Sequence, residues 1–92
     1  MSLKVRAEAI FKGRVQGVHF RDYTKRYARR RGVKGWVKNL HDGTVEATFE
    51  GERENIEEVI RMLREEHPFA RVDKIDVQWS ECRDQFDRFD IR

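Results

Sequence analysis

The stretch GRVQGVHFR, residues 13–21, gathers two glycines, a glutamine and two arginines between a strand-like and a helix-like segment. Gly13 and Gly17 allow backbone conformations that other residues resist. Successive N–H groups in such a turn can converge into an anion-binding nest. A helix starting near Phe20 adds its unpaired N–H groups and the positive end of its dipole. Arg21, in the first turn, contributes a fixed charge and a planar fork of donors that matches phosphate oxygens. These features describe a small phosphate cradle, and a glycine turn followed by a solvated arginine fits the same nine residues. The GK[ST] ending of a P-loop is missing, so nothing here supports a nucleotide triphosphate.

The elements that must hold this loop follow from periodicity. In LKVRAEAIFKG, Val5, Ala7, Ala9 and Phe11 alternate with Lys4, Arg6 and Glu8, the pattern of a half-buried strand. FRDYTKRYARRRG places Phe20, Tyr23, Thr24, Tyr27 and Ala28 at helical spacing, with Gly32 at the expected left-handed C-cap. VKGWVKNLHDGTVEATFEG reads as a β-hairpin: Val33, Gly35 and Val37 alternate, HDG turns the chain, and Val45, Ala47 and Phe49 resume. ERENIEEVIRMLREEH sets Ile56, Val59, Ile60 and Leu63 on one helical stripe, acidic early and basic later, with Glu57 and Arg61 as an i,i+4 pair. His67 and Pro68 end that helix. Ile75, Val77 and Trp79 share a face of the next strand, SECRDQ turns, and FDRFDIR closes with Phe89 and Ile91 on a short strand.

The order β-α-β-β-α-β plus a terminal strand predicts an α+β, ferredoxin-like two-layer sandwich with both helices on one face of a mainly antiparallel sheet. Right-handed connections put the first and third strands at the centre and the hairpin's other strand at one edge. Residues 1–92 read as one domain, without linker, repeat or low-complexity tract.

KGWVKNLHDG adds to the glycine loop a second motif. Together with YARRRGVKGWVKNLHDGTVE, PFARVDKIDV and FDRFDIR, in order and at the right spacing, the sequence resembles the acylphosphatase family, the small prokaryotic-type enzymes above all. The resemblance covers essentially the whole chain. It implies hydrolysis of a carboxyl–phosphate anhydride to a carboxylate and inorganic phosphate, without metal or organic cofactor. By the same resemblance Arg21 binds the phosphoryl group and Asn39 orients the attacking water. The amides of a phosphate-binding loop of Val15, Gln16, Gly17, Val18, His19 and Phe20 complete the site. The implied partners are a small acyl phosphate and, as product-like ligands, inorganic phosphate or sulfate. At the C-terminus the chain departs from the family, because a terminal tyrosine common in relatives is absent.

That toolkit suits its chemistry. Phosphoryl transfer passes through a loose transition state in which positioning and charge stabilisation dominate. A departing carboxylate is already a stable anion and needs no strong acid. Asn39 is a poor proton acceptor, yet its amide can align a water. Arg21 and the N–H groups can stabilise the equatorial oxygens as charge shifts. An alkoxide leaving group would be served poorly, so the substrate class is narrow.

Other polar residues read more plainly. Arg14 suits a solvated surface position ahead of a substrate-steering one, and Gln16 suits either a loop-supporting or a surface role. His19, His41 and His67 read as surface or loop-packing residues, without the spacing of a metal site. Trp36, opposite Val37 on its strand, covers the sheet's open face or the mouth of the site. Thr44 is a strand residue past the turn.

Composition bounds the rest. Charged residues make up 40% of 92, against about 25% ordinarily. Six Phe, two Trp and two Tyr supply a core and argue against disorder. An ion-pair-rich surface of thermophilic type accounts for the excess. The net charge of +3 favours anionic ligands only in general. A lone Cys82 allows no intrachain disulfide, and no segment has the length or apolarity of a signal or membrane span. The expectation is a cytoplasmic monomer with no membrane partner. A nucleic-acid-binding ferredoxin-like module, suggested by the basic run Lys25–Lys38, is the alternative. It lacks the spaced aromatic signature of RNA readers, and Glu46 and Glu50 oppose a continuous positive face. A non-catalytic anion-binding scaffold is the third reading.

Overall fold

A computed structural model describes residues 3–92. Seven elements follow in chain order: β1 (Lys4–Arg14), α1 (Phe20–Arg30), β2 (Lys34–Asn39), β3 (Val45–Glu52), α2 (Arg53–Glu65), β4 (Arg71–Glu81) and β5 (Phe89–Ile91). They form a five-stranded sheet in the order β4-β1-β3-β2-β5. Every pairing is antiparallel except that of β5 with β2. This is the ferredoxin-like α+β arrangement expected from the element order.

The apolar alternations define the buried layer. Ala7, Ala9 and Phe11 of β1, Val45, Ala47 and Phe49 of β3, and Val37 of β2 are all essentially inaccessible. The helices close over them with the predicted stripes: Phe20, Thr24, Tyr27 and Ala28 from α1, Ile56, Val59, Ile60 and Leu63 from α2. Ile75, Val77 and Trp79 pack half-buried against the same core from β4. α1 stops where expected, with Gly32 at φ +68° and the N–H groups of Gly32 and Val33 donating back to the carbonyls of Arg29 and Ala28.

Two expectations need correction. β2 is not an edge strand, because β5 lies outside it in parallel register, Gly35 opposite Phe89 and Val37 opposite Ile91. Phe89, completely buried against Phe49 at 5.6 Å between ring centroids, is the apolar anchor that draws this short strand in. Nor do Glu57 and Arg61 pair. Arg61 turns to Glu58, Glu65 and Glu66, while Glu57 takes Arg53. Three acceptors around one guanidinium fork outweigh a single i,i+4 partner.

On the open face of the sheet, Glu50 is nearly inaccessible. Its carboxylate accepts from Arg6 Nη1 and from the N–H groups of Arg83 and Gln85, which straps the β4–β5 connection across the central strands. Trp36 lies on this face too, with the Arg92 guanidinium 4.9 Å and the Lys38 ammonium 5.4 Å from its ring. Arg6, Glu8, Glu46, Thr48 and Glu50 therefore occupy the central strands where an RNA reader would display stacking aromatics.

Candidate active site at the loop before the first helix

β1 runs three residues past its last core side chain, Phe11, before the chain turns. Gly13 opposes β4 at a register shift between Lys12 and Gly13, and a Cβ there would overlap the Arg71 carbonyl. Its task is this close crossing of strands, not the anion nest that the sequence reading assigned to both glycines. The loop proper spans Val15 to His19. Gly17 adopts φ +76° and His19 φ +61°, while Val15 and Val18 are buried beneath them. Two left-handed residues in so short a turn give the alternating backbone that gathers N–H groups into a concavity.

α1 then starts without a side-chain cap: His19 occupies the N-cap position and makes no capping hydrogen bond. The first N–H groups of the helix lack intrahelical acceptors, so they remain available to an anion. Phe20 is held from below by Phe11, 5.1 Å away between ring centroids, which ties the helix start to the core.

These parts surround a concavity of about 270 Å³. The loop contributes Val15, Gly17, His19 and Phe20, α1 contributes Arg21 and Asp22, β2 contributes Asn39 and β5 contributes Ile91. Arg21 and Asn39, separated by a whole helix in sequence, thus line one site, and both are exposed. Among the described residues no carboxylate lies within ion-pair distance of Arg21; Asp22 instead faces His19 Nδ1 at 3.8 Å.

Asn39 is the last residue of β2, and its position depends on the hairpin turn. Asp42 accepts from both the N–H and the hydroxyl of Thr44, which hold its carboxyl below the ordinary carboxylate range. Gln16 decides between its two readings in favour of support. Its Nε2 donates to the carbonyls of Leu40 and Thr44, both at 2.8 Å, and so fastens the loop to the hairpin. Thr44 accordingly serves the turn.

The remaining candidates separate clearly. Arg14 is exposed at the end of β1 opposite Arg71, away from the concavity, and His41 is exposed in the hairpin turn. His19 places an exposed side chain at the mouth while its backbone shapes the nest. His67 resolves to the packing side of its reading, being 8% exposed and stacked on Phe20. The sequence did not mark Ile91 or Asp22 as lining the site, the first because only the pairing of β5 with β2 brings it there. A second concavity of similar volume, lined by Lys4, Lys34, Glu50, Glu52 and Asp84 among others, mixes both charges, and the start of α2 that borders it carries the Glu52 carboxylate rather than being left to an anion.

Comparison with known proteins places the chain by family and fold. The family model Acylphosphatase matches residues 7–91. An acylphosphatase of Anaeromyxobacter dehalogenans is 46% identical over 92 residues, covering all of this chain and 99% of its own. One from Pyrobaculum aerophilum is 48% identical over 87 residues, covering 94% and 92%. The crystal structure of acylphosphatase from Bacillus subtilis superposes with a TM-score of 0.90 at 35% identity, covering 96% of this chain and 98% of that one.

Proposed function

We propose that this chain, which belongs to the acylphosphatase family, carries out its hydrolysis with two side chains and one loop. It is an enzyme that splits the carboxyl–phosphate bond of acyl phosphates to a carboxylate and inorganic phosphate. Arg21 and the amides of residues 15–20 hold the phosphoryl oxygens. Asn39 orients the water on the opposite side of phosphorus from the departing carboxylate. The observation that carries this division is the single concavity shared by Arg21, Asn39 and the uncapped start of α1.

The chemistry proceeds by placement. Water attacks phosphorus as the bond to the acyl oxygen lengthens, and the carboxylate leaves with the bonding electron pair. Charge on the three equatorial oxygens is met by a guanidinium fork and by amides fixed before the reaction begins. Because the leaving group is a weak base, neither a metal ion nor a strong general acid is required of the protein. The amide of Asn39 accepts a hydrogen bond from the water and aligns it without removing its proton outright.

We further infer a single-domain monomer working in a reducing cytoplasm. The edge strands support the monomer: β4 carries Arg71, Asp73, Lys74 and Asp76, and β5 is only three residues long, features that discourage edge-to-edge pairing. The lone Cys82 fits the compartment. The network of Arg61 with Glu58, Glu65 and Glu66, extended by Arg31, fits adaptation to heat. The decisive experiment is phosphate release from a simple acyl phosphate in the presence of a chelator. Release no faster than spontaneous hydrolysis overturns the assignment.

A further inference from the structure

His67 lies behind the loop rather than in front of it. It follows α2, and its ring is sandwiched by aromatics: stacked on Phe20 at 5.7 Å and 16°, against Tyr23 at 4.2 Å, with the edge of Phe69 at 6.3 Å. Nδ1 accepts the N–H groups of Phe69 and Ala70, both at 3.0 Å. An accepting Nδ1 carries no proton, so the neutral ring bears its hydrogen on Nε2. That Nε2 is fully covered and has no partner within hydrogen-bond geometry among the described residues.

A buried donor without an acceptor calls for an explanation. Burial pulls the His67 pKa below the ordinary histidine value, while the backbone of His19, of His67 itself and of Val18 favours its protonated form. With Nδ1 occupied by two donors, the loop carbonyls of Val18 and His19 are left for Nε2–H. The His19 carbonyl already accepts from Tyr23 N–H at 3.0 Å and keeps a second lone pair. The charged and titratable neighbours are few: His19 and Tyr23 from the loop and α1, and Glu66 at the end of α2, which is engaged with Arg61.

The peptide group transmits what happens at those carbonyls. It is planar and trans, so a carbonyl and the N–H of the next residue point in opposite directions. A donor behind the loop that draws the Val18 and His19 carbonyls toward itself turns the His19 and Phe20 N–H groups toward the concavity. We propose that His67 is a positioning residue for the phosphate loop, its Nε2–H setting from behind the orientation of the amides that receive the phosphoryl group. Among the described residues this hydrogen bond is not formed, and in this proposal it forms when phosphate binds. This rests on the assignment of residues 15–20 as the phosphate loop.

The test uses His67→Asn, His67→Gln and His67→Phe in the full chain. Inorganic phosphate serves as a competitive inhibitor, kcat and KM are separated, and melting is followed in parallel. Asn retains an acceptor near the place of Nδ1 but nothing at Nε2; Gln reaches the place of Nε2 with an amide donor. We expect Asn and Phe to weaken phosphate about tenfold, the loss of one buried hydrogen bond, and Gln to restore it to within about threefold. Rescue by Asn and not by Gln would mean a turn cap only, and equal phosphate affinity in all three would leave no role. For the wild type, ring nitrogen NMR should show hydrogen on Nε2 and a shift of that resonance on saturation with phosphate; an unmoved resonance overturns the proposal. Arg21→Ala keeps the two assignments apart. If it leaves phosphate affinity intact, the loop reading itself falls; if it abolishes binding while the His67 series is flat, only the role of His67 does.

Discussion

Gln16 Nε2 donates a 2.8 Å hydrogen bond to the carbonyl of Leu40, the residue that follows Asn39. With its partner bond to Thr44, it joins the loop before α1 to the hairpin between β2 and β3. Arg21 is placed by the first element and Asn39 by the second, so this amide sets the distance between the proposed phosphate holder and the proposed water holder. Replacing Gln16 by Leu is expected to lower kcat by roughly 10- to 100-fold, because a small misplacement of reacting groups is costly. Inhibition by inorganic phosphate should change much less, since the loop retains its own N–H groups. Steady-state kinetics with a phosphate titration checks both.

Arg21 and Asn39 are expected to fail differently. Arg21→Ala removes charge-assisted hydrogen bonds and should weaken inorganic phosphate by about 10- to 100-fold as well as slow turnover. Asn39→Ala should leave phosphate affinity within about twofold while kcat falls by about 100-fold. Equal weakening of phosphate in both variants contradicts the division of labour.

His19 is needed for its backbone rather than its ring. At φ +61° a β-branched residue is badly strained, whereas asparagine tolerates the left-handed region. His19→Asn should keep near wild-type activity and melting. His19→Val should lose about 1–2 kcal/mol of stability and bind phosphate more weakly. A denaturant titration beside the phosphate inhibition assay separates the two.

Acid should unfold the protein in two stages. His67 has a lowered pKa in the folded state because it is buried, so as pH falls through about 6.5 the unfolded chain takes up the proton first and stability declines. For Glu50, burial raises the pKa, but the N–H groups of Arg83 and Gln85 and the Arg6 guanidinium override it and hold it below the ordinary value. Its contribution is present above about pH 4.3 and is lost as pH falls further. Stability measured against pH should lose the upper step in His67→Asn and the lower step in Glu50→Gln. A single step unaffected by either substitution would contradict this account.

Much of the fold was legible because burial imprints itself at short range. The period of two in residues 5–11 and the 3.6-residue stripes of both helices report which side of each element faces the core, whatever that core contains. The resemblance to acylphosphatases rested on contiguous motifs, and three of them, GRVQGVHFR, the segment around Asn39 and FDRFDIR, contribute residues to the concavity. Arg61 shows the limit of local reading. Four acidic residues lie within five positions of it, and spacing alone selected Glu57, whereas the folded helix end brings Glu58, Glu65 and Glu66 to the guanidinium.

By itself, then, the amino-acid order determined the seven elements, their buried faces, and the motifs whose resemblance to acylphosphatases singled out Arg21 and Asn39. Tertiary structure decided how those parts meet. It put β5 outside β2 because Phe89 finds its apolar socket beside Phe49. It assigned Gly13 to a strand crossing, Gln16 to the clamp on Leu40 and His67 to the underside of Phe20. The physical reason is range. Periodicity records contacts that repeat every two to four residues, but a hydrogen bond or ring stack across 24 or 47 positions leaves no periodic trace and exists only once the sheet has aligned both partners.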